Sequence, residues 1–119
     1  MGMKTVAIIG ALDEEVALIA KSLTHVTHTA KGSLDIVSGT VDSFGSDVIK
    51  VAATVGGMGL VNAAATTQLL IDEIAPDAVI FSGIAGNLNT HLHINDVVLG
   101  GTLRYLCLLY TSDAADDMQ

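Results

Sequence analysis

The chain is poor in aromatic, cysteine and basic residues, and these shortages argue against certain folds, disulfides and binding partners. Aromatic residues make up 3% of its 119 residues and tryptophan is absent. This composition favours an α/β sheet covered by helices over a β-sandwich with an aromatic-rich core. Cys107 is the only cysteine, which permits no internal disulfide and suggests a reducing compartment. The chain has five Lys and Arg residues and 13 Asp and Glu residues, which gives a net charge of -8. This balance disfavours nucleic acid and anionic membranes as partners, because cationic side chains bind phosphate.

Long apolar runs are also missing. No segment approaches the roughly 20 apolar residues that a membrane-spanning helix needs. The N-terminus leads directly into a β-branched run, without a signal-peptide pattern. We therefore expect a cytoplasmic protein of one compact domain.

Short apolar runs alternate with amphipathic segments along the chain. The pattern predicts strands at 4–9, 33–42, 47–55, 77–82 and 94–100, and helices at 13–23 and 60–74. The order is β-α-β-β-α-β-β, in which a turn at 43–46 joins two strands into an antiparallel hairpin. This order favours the α/β class, with a mixed, mostly parallel sheet.

Three acidic residues follow the first strand and its Gly10 turn. Successive helical residues rotate by about 100°, so Glu14 points away from the apolar stripe while Asp13 and Glu15 flank it. Asp13 is suited to cap the helix. Glu15 can reach the sheet edge, where partial desolvation is expected to raise its pKa and suit it to act as a general base on water. Spacing alone favours the plainer interpretation, in which all three acids merely complement the helix dipole.

Two glycine-rich loops follow later strands. Residues 56–59, Gly-Gly-Met-Gly, precede a helix and can either hold an anion on backbone N–H groups or allow close backbone packing. Residues 82–86, Ser-Gly-Ile-Ala-Gly, leave the backbone open to a flat ligand or form a plain tight turn. The histidines lack acidic or cysteine partners at ligand spacing, so we expect solvated loop residues, no metal and no cofactor. They are His25, His28, His91 and His93.

Together, the three loops resemble those of the nucleoside phosphorylase/nucleosidase superfamily, and most closely its 5'-methylthioadenosine/S-adenosylhomocysteine nucleosidases. Residues 8–16 look like the N-terminal motif of that family. Residues 58–64 are similar to its glycine loop and following helix, and residues 82–86 to its purine-side loop. The resemblance covers about Lys4 to Tyr105.

The resemblance implies a three-layer fold that hydrolyses the N-glycosidic bond of methylthioadenosine or S-adenosylhomocysteine. Adenine would be released, as part of methionine salvage and nucleoside catabolism, by a homodimer when full length. Glu15 matches the glutamate that orients and activates the attacking water. The positions matching substrate-binding residues are Ala11, Met58, Ile84, Ala85 and Gly86; the family often has Ser at the position of Ile84.

Two alternatives stay open beside the nucleosidase. A purine or uridine phosphorylase must bind phosphate, typically with arginines, yet no Arg precedes Arg104 and the first helix begins with acids. Both features favour water as the nucleophile. The other alternative is a non-catalytic nucleoside-binding relative. Futalosine and AMP nucleosidases also stay open as variants of the enzyme, since the 5' substituent is not determined.

The C-terminal segment has a different character. Residues 106–119 closely resemble a sequencing adapter translated in frame, so we expect a non-native tail. Residues 1–105 would then be the N-terminal part of a single phosphorylase-like domain. The remaining part of the family's domain would bring the carboxylate that binds the ribose and the aspartate that protonates the purine, so we expect the 119-residue chain itself to be inactive.

Overall fold

A computed structural model describes residues 4–42 and 47–104. The chain forms two compact units, Met1–Ala85 and Gly86–Gln119. The regular elements of the described residues all belong to the first unit. They are β1 (Lys4–Gly10), α1 (Asp13–Ser22), β2 (Thr24–Lys31), β3 (Leu34–Asp42), β4 (Val48–Val55), α2 (Leu60–Ile74) and β5 (Ala78–Phe81).

The five strands form one sheet in the order β2-β3-β4-β1-β5. Strand β1 pairs in parallel with β4 and with β5, whereas β2, β3 and β4 form an antiparallel meander. The predicted α/β class and the antiparallel hairpin of β3 and β4 are confirmed. The sheet is evenly mixed rather than mostly parallel, because the meander contributes two antiparallel pairings to the four. The turn predicted at 43–46 lies outside the described residues.

The helices cover opposite faces of the sheet, which gives three layers. Side chains alternate along β1, so Ala7 and Ile9 pack with Leu70 of α2 while Ile8 packs on the other side near Ile19 of α1. Ala7 and Leu70 are fully buried. The small residues of the sheet thus let both helices approach it closely.

Strand β2 was not predicted from the sequence. All eight of its residues are exposed, because it lies at the edge of the sheet, so it lacks the alternation that marks a half-buried strand. The turn that joins it to β3 consists of Gly32 and Ser33, with Gly32 at a φ of 57°. A two-residue turn beginning with glycine is a hairpin signal, and it was available in the sequence. The expectation that His25 and His28 are loop residues is therefore wrong, since both lie in β2.

The strand predicted at 94–100 is absent from the structure, so the predicted order β-α-β-β-α-β-β becomes β-α-β-β-β-α-β. Asn95 adopts a positive φ of 76°, and the Asp96 side chain accepts the His93 N–H at 2.8 Å. This local turn interrupts an extended backbone. Apolar composition at 94–100 had suggested a strand, but Ile94 is 93% exposed.

Strand β5 lies at the other edge of the sheet, and its side chains are exposed rather than buried as expected. Phe81, for example, is 62% exposed. The strand is tied to β1 at its start, where the Asp77 side chain accepts the Thr5 N–H at 2.8 Å and the Asp77 N–H donates to the Thr5 carbonyl at 2.8 Å. These bonds fix the register that places the loop after β5.

Candidate active site

The parallel strands bring three loops to one edge of the sheet. The Gly56 N–H donates to the Gly10 carbonyl at 2.9 Å, which joins the ends of β4 and β1. The Ser82 N–H donates to the Ile9 carbonyl at 3.0 Å, which joins the ends of β5 and β1. The loops that follow β1, β4 and β5 therefore begin side by side, where open α/β sheets bind their ligands.

The Glu15 carboxylate links two of these loops. Its Oε2 accepts the N–H of Ala11 at 2.6 Å and that of Leu12 at 3.0 Å. Its Oε1 accepts the N–H of Ile84 at 3.3 Å, from a residue 69 positions further along the chain. Glu15 reaches both loops because it lies in the first turn of α1, where the helix starts directly above the end of β1.

The two carboxylate oxygens of Glu15 differ in how many further hydrogen bonds each can accept. A carboxylate oxygen offers about two acceptor positions. Oε2 has both positions filled by backbone donors, whereas Oε1 has one donor at a longer distance. Oε1 is therefore the atom that can accept a further hydrogen bond from a ligand or a water molecule.

The backbone donors determine the charge state of Glu15. The N–H groups of Leu12, Ile84 and Ala11, in that order, lower the pKa of Glu15 below its ordinary value of 4.5, while burial acts weakly in the opposite direction. The expectation of a raised pKa is thus wrong, because hydrogen bonds to the ionised form outweigh desolvation. Glu15 is held as a carboxylate at neutral pH.

An open cleft of about 320 Å³ lies against this carboxylate, lined by Leu12, Glu14, Glu15 and Ile84. Leu12 is 39% exposed and forms a wall of the cleft. It stands at the N-cap position, which had been assigned to Asp13. Since Leu12 offers no side-chain acceptor, Glu15 is the side chain that binds the free N–H groups at the helix start.

The structure brings part of the predicted site together. Ala11 and Ile84 each donate a backbone hydrogen bond to Glu15. Met58 follows β4 at the same edge of the sheet, with its side chain 71% exposed and its carbonyl bound by Asn62 Nδ2 at 2.7 Å. Ala85 ends the first unit, and Gly86 begins the second unit. Whether these five positions bind substrate stays a prediction.

Sequence reasoning missed Gly83. Its backbone lies against the Glu15 carboxylate, so closely that an added Cβ would come within 2.9 Å of Oε1. The Ser-Gly-Ile-Ala-Gly motif allowed either a flat ligand or a plain tight turn, and neither interpretation anticipated that Gly83 makes room for the protein's own side chain. The Ile84 side chain is 84% exposed, and the residue contacts Glu15 through its backbone N–H.

Within residues 4–42 and 47–104, no group of three or more His, Cys, Asp or Glu side chains could hold a metal ion. His28 instead lies beside Asp35, with Nδ1 and Oδ2 3.5 Å apart, and His93 lies 3.7 Å from Asp96. In the same part of the chain, no helix is long and apolar enough to cross a membrane.

The fold and the site define an α/β protein with a carboxylate held at the carboxyl ends of its parallel strands. The model of the phosphorylase superfamily matches residues 5–117. The chain therefore belongs to the phosphorylase superfamily.

Relatives within this family are nucleosidases. A 5'-methylthioadenosine/S-adenosylhomocysteine nucleosidase from Anoxybacillus flavithermus is 38% identical over 94 residues, which cover 79% of this chain and 38% of that protein. The crystal structure of such a nucleosidase from Colwellia psychrerythraea in complex with adenine matches with a TM-score of 0.72 at 30% identity, over 80% of this chain and 37% of that one.

The nucleosidase from Neisseria meningitidis in complex with methylthio-immucillin-A matches with a TM-score of 0.67 at 34% identity, over 79% of this chain and 38% of that one. The chain thus spans about two fifths of the length of the curated relatives it matches.

Proposed function

We propose that this chain is the N-terminal part of an enzyme that hydrolyses the N-glycosidic bond of methylthioadenosine or S-adenosylhomocysteine and releases adenine. The observation that carries the proposal is the Glu15 carboxylate, fixed by three backbone N–H groups with one acceptor position of Oε1 open. The names of the relatives support the substrate class.

In the proposed reaction the bond between the purine N9 and the ribose C1' breaks, and the electron pair leaves with the base. Glycoside hydrolysis passes through an oxocarbenium-like transition state, so C1' carries positive charge when water approaches. As the water oxygen bonds to C1', the hydrogens of that water molecule become strongly acidic. A carboxylate with a lowered pKa is then a sufficient base, and Glu15 Oε1 accepts the proton.

The remaining requirements are a proton for the leaving purine and contacts to the ribose. By the family resemblance, both groups would come from the part of the relatives' length that this chain does not span. We therefore propose that the 119-residue chain alone is inactive. Met58 would contact the ribose, while Ala11, Ile84, Ala85 and Gly86 would lie near the base and the water.

Water is favoured over phosphate as the nucleophile on electrostatic grounds. The cleft is lined by two carboxylates, Glu14 and Glu15, and by no Lys or Arg among the described residues. A phosphate dianion would be repelled there, because phosphate is bound by positively charged hydrogen-bond donors such as Arg and Lys side chains. The lining thus supports a hydrolase rather than a phosphorylase.

The proposal is tested by incubating the purified full-length protein with methylthioadenosine in buffer without phosphate and following free adenine by chromatography. We expect adenine and methylthioribose in equal amounts, with no dependence on added phosphate. Turnover that requires phosphate and yields methylthioribose 1-phosphate would identify a phosphorylase instead. Binding of methylthioadenosine without any adenine release would identify a non-catalytic relative.

We further propose a cytoplasmic homodimer that acts in methionine salvage and nucleoside catabolism. The family resemblance supports the dimer, and the exposed apolar side chains at the start of α2, Leu60 and Val61, are available for a contact. Light scattering of the full-length protein should give twice the monomer mass. A monomer at micromolar concentration would contradict this part of the proposal.

A further inference from the structure

We infer that Gly83 is a positioning residue, whose lack of a side chain allows the Glu15 carboxylate to bridge α1 and the loop after β5. The inference rests on the proposed function and adds a residue to its machinery. A Cβ at position 83 would lie 2.9 Å from Glu15 Oε1, 3.0 Å from Cδ and 3.2 Å from Oε2. The distance to Oε1 is too short for the carboxylate to stay in place, and the other two are unusually tight.

The requirement for glycine is one of space and not of backbone conformation. Gly83 is not among the residues with positive φ, whereas Gly32, Gly57 and Gly59 are. Alanine can therefore adopt the backbone conformation at position 83 without strain. The three nearest atoms that its Cβ would meet belong to the end of the Glu15 side chain. Since that end is flexible, the carboxylate would move and the fold would remain.

Gly10 offers a contrast that separates positioning from packing. A Cβ at Gly10 would lie 2.7 Å from Val16 Cγ2, and the Val16 side chain is buried in the first unit. A methyl group there disturbs the packing of α1 on β1. At Gly83 the same methyl group displaces a carboxylate only. Substitution at Gly83 is thus expected to reduce activity, and to reduce stability by no more than the loss of the Glu15 hydrogen bonds.

Displacement of the carboxylate would affect the chemical step more than substrate binding. Misplacing a catalytic group by about 1 Å can lower the rate about 100-fold. A shift of about 0.5 Å restores ordinary contact, so we expect the Gly83→Ala variant of the full-length protein to lose roughly 10-fold in kcat, with KM unchanged and with no greater loss of stability than Glu15→Ala. Gly101→Ala is the matched control, because a Cβ at Gly101 would meet no atom within 4 Å.

A double-mutant cycle tests whether Gly83 acts through Glu15. In a Glu15→Gln background the base is already lost, so Gly83→Ala should cause no further decrease in the residual kcat. An equal decrease in both backgrounds, or full kcat in the single variant, would overturn the inference. If Gly83→Ala lowers stability, the Glu15→Ala background decides: no further loss when Gly83→Ala is added supports the contact with Glu15, and an equal loss in both backgrounds overturns it.

The positioning role of Gly83 can also be tested without an activity measurement. Carbon NMR of the Glu15 carboxyl group reports its pKa directly, and loss of the backbone donors in Gly83→Ala should raise that pKa. An unchanged titration would overturn the positioning role even if the wild-type protein released no adenine. Adenine release by the wild type with full activity in Gly83→Ala would leave the proposed function intact and remove this inference alone.

Discussion

The carboxylate of Glu15 accepts the backbone N–H of Ile84 at 3.3 Å, across 69 residues of sequence. The same carboxylate binds the N–H groups of Ala11 and Leu12 at the start of its own helix. One side chain therefore joins the loop after β1 to the loop after β5. Substitution of Glu15 should affect both the reaction and the local structure.

Glu15→Gln in the full-length protein should lower adenine release about 100-fold or more, since general bases typically contribute 10²–10⁴-fold. The amide has one oxygen, so it cannot accept the hydrogen bonds at both carboxylate positions. Initial rates of adenine formation measure the effect. Asp13→Asn is the matched control, because Asp13 is an exposed acid of the same helical turn and does not line the cleft. Near-normal turnover by Glu15→Gln would remove Glu15 from the reaction.

The contribution of Glu15 to stability should depend on pH in a defined direction. Its pKa in the folded protein lies below 4.5, the value expected when unfolded, because backbone N–H groups stabilise the ionised form. The contribution is then fully present above pH 4.5 and is lost as the pH falls through the folded pKa. Unfolding free energies of wild type and Glu15→Gln, measured between pH 7 and pH 3, should converge at the acidic end. A difference that grows on acidification would contradict the lowered pKa.

Gly10→Ala should destabilise the fold. The new Cβ would lie 2.7 Å from Val16 Cγ2 and 3.1 Å from Glu15 Cβ, in a region where Val16 is only 5% exposed. Overpacking of this kind costs about 1–3 kcal/mol. Urea unfolding of the full-length protein measures the change, with Gly101→Ala as the control without a steric contact. Equal midpoints for the two variants would show that α1 can shift on β1 at no cost.

Leu70→Ala should lower the free energy of unfolding by about 2–5 kcal/mol, the usual cost of truncating a buried leucine. Leu70 is fully buried between α2 and the sheet, where it packs with Ala7 and Ile9. The matched control is Leu18→Ala on α1, because Leu18 is 72% exposed and should change stability by less than about 0.5 kcal/mol. The comparison checks that the core lies on the α2 face as described.

The sequence predicted the elements whose patterns are strong. The apolar run of β1 and the amphipathic patterns of α1 and α2 led to bounds within a few residues of those observed. Strand β2 was not predicted, because an edge strand with both faces exposed lacks the alternation of apolar and polar residues. The strand expected at 94–100 was wrong for the opposite reason: its apolar composition suggested a strand, but a local turn at Asn95 interrupts the extended backbone.

The sequence predicted the placement of Glu15 at the sheet edge, but not its electrostatics. The glycine loops do lie at that edge and Glu15 does reach it, while its role in a reaction stays a prediction. The pKa direction could not follow from sequence, because it depends on the Ile84 N–H, which approaches Glu15 only in the folded chain. The steric role of Gly83 likewise required knowledge of where the carboxylate lies.

The position of β1 between β4 and β5 has a consequence for the order of folding. Lys4 pairs with Ile49 and Val6 pairs with Ala78, so β1 leaves the ribosome well before either of its partner strands. The meander of β2, β3 and β4 needs only neighbouring segments and can form first. Pulsed hydrogen exchange during refolding should therefore protect β3 amides before those of β1. Until β4 is in place, β1 is an exposed apolar strand, and the nascent chain passes through its most aggregation-prone stage at that point.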